Sequence, residues 1–145
     1  MPERLISDVL RDPFLVKMPP TATVADAARQ MAEKHVASVV VTEGDDQLDG
    51  IFTERDMIDR VIAADRDPKA TTLADVMTPH PVSVSPKATV LQAMAEMRDN
   101  NLRHLPVSDG GKVVGVVSIR DFVGDDIAEL DHERQFARTV WERLR

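Results

Sequence analysis

The feature that most constrains this chain is that it carries one pattern twice. Pro20, Ala22, Thr23, Val24, Ala27 and Met31 recur 66 positions later as Pro86, Ala88, Thr89, Val90, Ala93 and Met97, and Val41 recurs as Val107. Past the intervening turn the offset falls to 65: Gly50, Arg55 and Asp56 match Gly115, Arg120 and Asp121, and Thr53 matches Ser118, which keeps the hydroxyl. Upstream, Ser7-Asp8-Val9-Leu10 resembles Ala74-Asp75-Val76-Met77 at an offset of 67. Offsets that change by single residues, and only at turns, mark two copies of one supersecondary unit.

Each copy reads as strand, helix, strand, strand, helix. Residues 15–18 and 82–84 are short extended segments, each ending near a proline that opens a polar turn. Thr23 and Thr89 suit helix N-caps, and the stripes Val24, Ala27, Ala28, Met31 and Val90, Ala93, Met94, Met97 have helical spacing. Residues 36–41 and 105–107 read as buried strands. The turns Glu43-Gly44-Asp45-Asp46 and Ser108-Asp109-Gly110-Gly111 lead into strands at 48–52 and 113–117. The closing helix has Met57, Ile58, Val61 and Ile62 as its apolar face in the first copy, and Phe122, Val123, Ile127 and Leu130 in the second. Residues 65–72, polar and containing a proline, read as the linker. Copies of only about 60 residues are expected to share one core, so the organisation is a first repeat with its N-terminal segment (1–66), a second repeat (67–130) and a C-terminal helix (131–145).

Composition removes several functions. With 18 Lys and Arg against 25 Asp and Glu, the net charge is −7, the wrong sign for wrapping a polynucleotide. There is no cysteine, hence no disulfide, thiolate metal site or cysteine nucleophile. The four histidines, at 35, 80, 104 and 132, lack metal-site spacing. Charges interrupt the first residues too early for a signal peptide, and no apolar run approaches a membrane span. The expected setting is the cytoplasm, with no membrane or nucleic-acid partner. No G-x-S-x-G, P-loop or G-x-G-x-x-G motif occurs, so nothing supports catalysis.

The chemistry that remains sits where the third strand of each copy ends: Gly50-Ile51-Phe52-Thr53-Glu54-Arg55-Asp56 and Gly115-Val116-Val117-Ser118-Ile119-Arg120-Asp121. One reading is structural, a capping box in which hydroxyl and carboxylate tie off the helix start. The other is functional. The carboxylate accepts both vicinal hydroxyls of a ribose, while the Thr53 or Ser118 hydroxyl and the forked cations of Arg55 and Arg120 meet phosphate. Each charge-assisted bond would contribute about 1.5–3 kcal/mol. The arginines could instead pair with neighbouring acids, and Gly50 and Gly115 either admit a ring or mark a bulge. Arg103 and His104 precede the strand at 105–107, whereas the first copy has Ala37 and Ser38 there. The two sites are therefore chemically unequal.

Asp75-Val76-Met77-Thr78-Pro79-His80-Pro81-Val82, Ala88-Thr89-Val90, Arg103-His104-Leu105-Pro106-Val107 and the duplicated Gly-apolar-apolar-Thr/Ser-x-x-Asp run together resemble the CBS domain family. The resemblance implies an α/β (α+β) fold of two β-α-β-β-α repeats packed through their sheets with pseudo-twofold symmetry. It also implies clefts between the repeats for an adenosine ligand such as AMP, ADP, ATP, NAD or S-adenosylmethionine. Carried over by position, Asp56 and Asp121 hold ribose, and Thr53, Ser118, Arg55 and Arg120 approach phosphate. Ile51, Val116, Val16 and Val82 line the base pocket. Ala37 and Ser38, and in the other setting Arg103 and His104, face the partner repeat's cleft or its phosphate region. The first copy departs from the pattern at Val40, where the second has Pro106, and at Phe52. By the same resemblance the chain is a non-catalytic regulator that responds to a regulatory adenine nucleotide, forms a homodimer and acts on a separate protein target.

The tail has Asp131 as an N-cap and Phe136, Ala137, Val140, Trp141 and Leu144 on one broad helical stripe. So short a helix must pack somewhere. It packs either on the chain's own module or on a second chain or another protein, and an oligomer contact anchored by Trp141, the sole tryptophan, is the expectation.

Overall fold

The computed structural model describes residues 4–10, 15–123, 138 and 140–144. In chain order the elements are α1 (Ile6–Val9), β1 (Lys17–Met18), α2 (Val24–Lys34), β2 (Ser38–Glu43), β3 (Gln47–Thr53), α3 (Glu54–Asp56) leading into a π-helix (Met57–Ile62), α4 (Leu73–Val76), β4 (Thr78–Pro79), α5 (Val90–Asn100), β5 (His104–Asp109), β6 (Lys112–Ser118) and α6 (Ile119–Val123). Residues 140–144 are also helical.

The repeat holds down to single hydrogen bonds. Thr23 Oγ1 accepts from Asp26 N at 3.1 Å, and Thr89 Oγ1 from Gln92 N at 3.0 Å. Gln92 Oε1 accepts from Thr89 N at 2.9 Å, completing a capping box in the second copy. Both helices end on a left-handed residue, His35 (φ 55°) and Asn101 (φ 56°). The predicted stripes are buried except for Ala28, which is half-buried.

The chain divides into two compact units. One is Asp12–Pro81 with Gly110–Val113. In it β1 runs parallel to β2 (Lys17↔Val40), β2 antiparallel to β3 (Val40↔Ile51), and β4 antiparallel on the far side of β3 (Ile51↔Thr78). Val16, Val24, Ala27, Met31, Val39, Val41, Phe52, Val61, Leu73 and Val76 form its core, so the departure at Phe52 is a packing residue. The tip of the second hairpin joins this unit, with Leu48 N donating to Gly111 O and Val113 N to Asp46 O. The other unit is Met1–Arg11, Val82–Asp109 and Val114–Arg145. Its core includes Ile6, Met94, Met97, Leu105, Val117, Ile119 and Phe122.

The short leading segments, α1 and α4, each dock on the repeat that is not next in sequence. Ile6 N donates to Ala88 O, Ser7 N to Pro86 O and Val90 N to Arg4 O, at 2.8–2.9 Å. The matching bonds are Leu73 N to Ala22 O, Ala74 N to Pro20 O and Val24 N to Thr71 O, at 2.8–3.0 Å. Compact units therefore do not follow the repeat boundary near residue 66. The expected linker is part of this docking: Thr71 is buried, and its hydroxyl donates to Asp67 O at 2.8 Å.

Three expectations need correction. The helix after Asp56 is a π-helix, with Ala63 N bonded to Ile58 O and Arg66 N to Val61 O. Bonds that skip five residues turn a stripe of 3.6-residue spacing off the core face. Val61 alone of the four apolar residues is buried, while Ile58 and Ile62 are each 59% exposed. In the second copy Phe122 is buried as expected, whereas Ile127 and Leu130 lie outside the described residues, as do Asp131 and Phe136. Finally, Val140 and Leu144 enter the core of the second-repeat unit with Trp141 against it, so these three residues of the stripe pack within their own chain, and Ala137 lies outside the described residues. The reason is area: a short amphipathic helix gains most by covering apolar surface already beside it.

Candidate functional site

The first site forms where β3 gives way to α3. Thr53 is extended (φ −114°, ψ 167°), which turns its N–H and hydroxyl toward the helix start. Thr53 N donates to Asp56 Oδ2 at 3.0 Å, and Asp56 N donates to Thr53 Oγ1 at 3.2 Å. The capping box foreseen from sequence is thus closed. It does not exhaust the carboxylate, which has about four acceptor positions; it fixes the direction in which the rest point. Oδ1 lies 3.7 Å from Arg60 Nε, and the Asp56 side chain is 15% exposed.

Strand register gathers the other predicted residues of the first copy. Ser38, buried, pairs with Thr53, and Glu54 N donates to Ala37 O at 3.0 Å. Val40 N donates to Val16 O at 3.0 Å while Val40 pairs with Ile51, which aligns Val16 and Ile51 on either side of β2. Ala37, Ser38, Thr53 and Asp56 therefore stand together with Ile51 two residues back along β3, whereas Val16 packs in the core with Val39, Val41 and Phe52. Arg55 is turned aside: its Nε donates to Asp59 Oδ2 at 3.2 Å from a largely exposed side chain.

The second site repeats the plan with different chemistry. Ser118 N donates to Asp121 Oδ2 at 2.7 Å. Ile119 N donates to Arg103 O at 3.4 Å, bringing Arg103 and the half-buried His104 to the end of β6. Pro106 explains why Val82 is held less firmly than Val16. The N–H that Val40 offers to Val16 does not exist on proline, and the extended segment narrows to one bridge, Val84 to Val107. Val82 and Val116 are half-buried, and Arg120 is exposed. The Arg103 guanidinium lies 5.5 Å from the centre of the Trp141 ring, and its Nη2 donates to Leu144 O at 3.5 Å.

Both glycines are explained by the docked segments. A Cβ at Gly50 would meet Met77 Sδ at 2.5 Å, and one at Gly115 would meet Leu10 Cδ1 at 2.4 Å. A bulge also falls beside Gly50, where the β2–β3 register shifts between Val41 and Thr42. Sequence reading missed Arg60, whose Nη1 donates to the carbonyls of Val76 and Met77, both at 3.1 Å. The available signal was its i,i+4 spacing from Asp56. Among the described residues no cluster of His, Asp and Glu is arranged to hold a metal, and no helix is long and apolar enough to cross a membrane.

The CBS domain model matches residues 6–63 and 73–125. The chain is 38% identical over 117 residues to the mitochondrial CBS domain-containing protein CBSX3 of Arabidopsis thaliana, covering 78% of this chain and 57% of the relative. It thus spans little more than half the length of that protein. Among solved structures, a putative signal-transduction protein with CBS domains from Burkholderia ambifaria is 36% identical, with a TM-score of 0.78 over 88% of this chain and 96% of that one. A CBS domain protein from Pyrobaculum aerophilum, complexed with AMP, is 29% identical with a TM-score of 0.78, covering 90% of this chain and 98% of that one. One match of the family model falls on each repeat and takes in its Thr/Ser-x-x-Asp turn, and this chain belongs to the CBS domain family.

Proposed function

We propose that this chain is a non-catalytic regulatory module whose Thr53/Asp56 and Ser118/Asp121 sites take an adenine nucleotide of the AMP, ADP, ATP or NAD type. The observation that carries the reading is a carboxylate with one oxygen tied by its own cap and the other directed elsewhere, at the end of a strand lined by buried apolar residues. Asp56 and Asp121 accept the ribose hydroxyls, and Ile51 and Val16, or Val116 and Val82, flank the ring. Thr53 and Ser118 meet phosphate with Arg120, and with Arg55 once its guanidinium leaves Asp59. Ala37 and Ser38 leave the phosphate region of one site uncharged, whereas Arg103 brings a cation and His104 an imidazole to the other. The AMP complex of the Pyrobaculum aerophilum relative supports this choice of ligand.

A bound nucleotide would act by biasing shape or association toward a separate protein target. The exposed Ile58 and Ile62, one turn apart, support a homodimer through the π-helix face. The closed capping box at Thr53 favours a second reading, an interaction scaffold in which the same residues only cap helices.

Titration calorimetry with AMP on ligand-stripped protein separates the two. The nucleotide reading expects Asp56→Ala and Asp121→Ala each to remove binding at its own site. The scaffold reading expects each to cost about 1 kcal/mol of stability and no binding heat from any of the four nucleotides in the parent.

A further inference from the structure

The nucleotide reading gives Arg60 no task, yet its guanidinium stands between two parts of the first site. Nε faces Asp56 Oδ1 at 3.7 Å, and Nη1 donates to the Val76 and Met77 carbonyls at 3.1 Å. Those carbonyls close α4, where unpaired C=O groups concentrate partial negative charge. The residues that follow reach the other end of the site. Met77 lies over Gly50, and Thr78 pairs with Ile51. One planar cation thus joins the acid at Asp56 to the strand beside Ile51.

We propose that Arg60 is a positioning residue that couples occupancy at Asp56 to residues 76–78, an inference that rests on the nucleotide reading. When two ribose hydroxyls donate to the carboxylate, its charge is shared among more donors and its hold on Arg60 weakens. The guanidinium keeps its two carbonyls, and the 76–78 segment settles differently over Gly50 and Ile51. The device needs arginine, whose rigid fork spans a carboxylate and a pair of carbonyls, where lysine offers a point charge. It is confined to the first site: the offset of 65 that relates Asp56 to Asp121 carries Arg60 to Asp125.

The test uses the full chain in an Asp121→Ala background, so that AMP uptake reports the first site. Calorimetry measures affinity, and amide hydrogen exchange at residues 76–78 measures the response. With Arg60 present, AMP should change exchange there by about fivefold or more. Arg60→Gln should bind AMP at least as tightly as the parent, because the carboxylate no longer has a guanidinium to release, and should lose the exchange response. Arg60→Lys should hold AMP with about the parent's affinity but without the response, because a point charge does not span the carboxylate and both carbonyls, and it reads the same loss of coupling if the Gln variant does not fold. AMP uptake with no exchange change at 76–78, or with the same change in Arg60→Gln, overturns the coupling and leaves the nucleotide reading intact. Uptake by the parent but not by Asp121→Ala also overturns it, because the first site then takes no AMP. No uptake by either chain removes the nucleotide reading and the coupling together.

Discussion

Replacing Gly115 by alanine should destabilise the second-repeat unit through a clash with a single side chain, and trimming that side chain should cancel most of the cost. The added Cβ would stand 2.4 Å from Leu10 Cδ1, 3.1 Å from Cγ and 3.2 Å from Cδ2, with no backbone atom among its three nearest neighbours. Gly115 is not left-handed, so the cost is steric alone. Leu10 must retreat by about 1 Å to restore ordinary contact. Overpacking costs about 1–3 kcal/mol, and the half-buried, branched end of Leu10 can yield, which places Gly115→Ala near about 1.5 kcal/mol. For a chain of this size that lowers the melting temperature by roughly 3–6 °C. Leu10→Ala alone should cost about 1 kcal/mol of lost burial. In the double variant the new methyl enters the vacated space, so the combined loss should fall short of the sum by about 1 kcal/mol, which a double-mutant cycle in denaturant unfolding resolves. Gly50 supplies the contrast. Its Cβ would meet Met77 Sδ at 2.5 Å and also the Thr78 carbonyl oxygen at 3.0 Å, and Met77→Ala leaves that backbone atom in place. Parent-like melting of Gly115→Ala, or simple additivity with Leu10→Ala, would refute the docking of the N-terminal segment on the second repeat.

Other outcomes follow from single contacts. The Thr72 backbone N–H, then its hydroxyl and the charge of Arg66, hold the Asp75 carboxyl below the ordinary carboxylate range. A carboxyl lowered by folding stabilises above its unfolded pKa and ceases to as pH falls through the folded one. The stability gap between parent and Asp75→Asn should therefore persist at pH 7 and close below about pH 4; a gap unchanged at pH 2 contradicts the assignment. Ile58→Asp with Ile62→Asp should shift light scattering toward monomer while altering monomer stability by under about 0.5 kcal/mol, and a persisting dimer excludes this face. Arg103→Ala should red-shift the emission of Trp141 and cost about 0.5–1 kcal/mol; an unchanged spectrum would mean that the cation does not lie on the ring.

The parts of this fold that were legible in the sequence depend on residues close together in the chain. The caps at Thr23 and Thr89, the stripes behind them, the two hairpin turns and the hydroxyl-to-carboxylate turns at Thr53 and Ser118 are all local, and the repeat doubled the evidence for each. The repeat also showed that 7–10 resembles 74–77. Similarity alone could not say on which copy each segment docks, because the deciding bonds, Ile6 to Ala88 and Leu73 to Ala22, are made to partners far away in sequence or on the preceding copy. The same holds for Arg60, whose acceptors lie 16 and 17 residues onward.

By itself, then, the sequence determined two copies of one mixed α/β unit, their helix starts, and two acidic turns of unequal surroundings. Only the tertiary structure decided that Ile58 and Ile62 turn outward on a π-helix, that the tail packs on its own chain beside Arg103, and that Leu10 and Met77 cover the two glycines. The physical reason is that periodicity and caps record what a residue does with its near neighbours. Which apolar surface covers which is set by competition among distant segments for the same core.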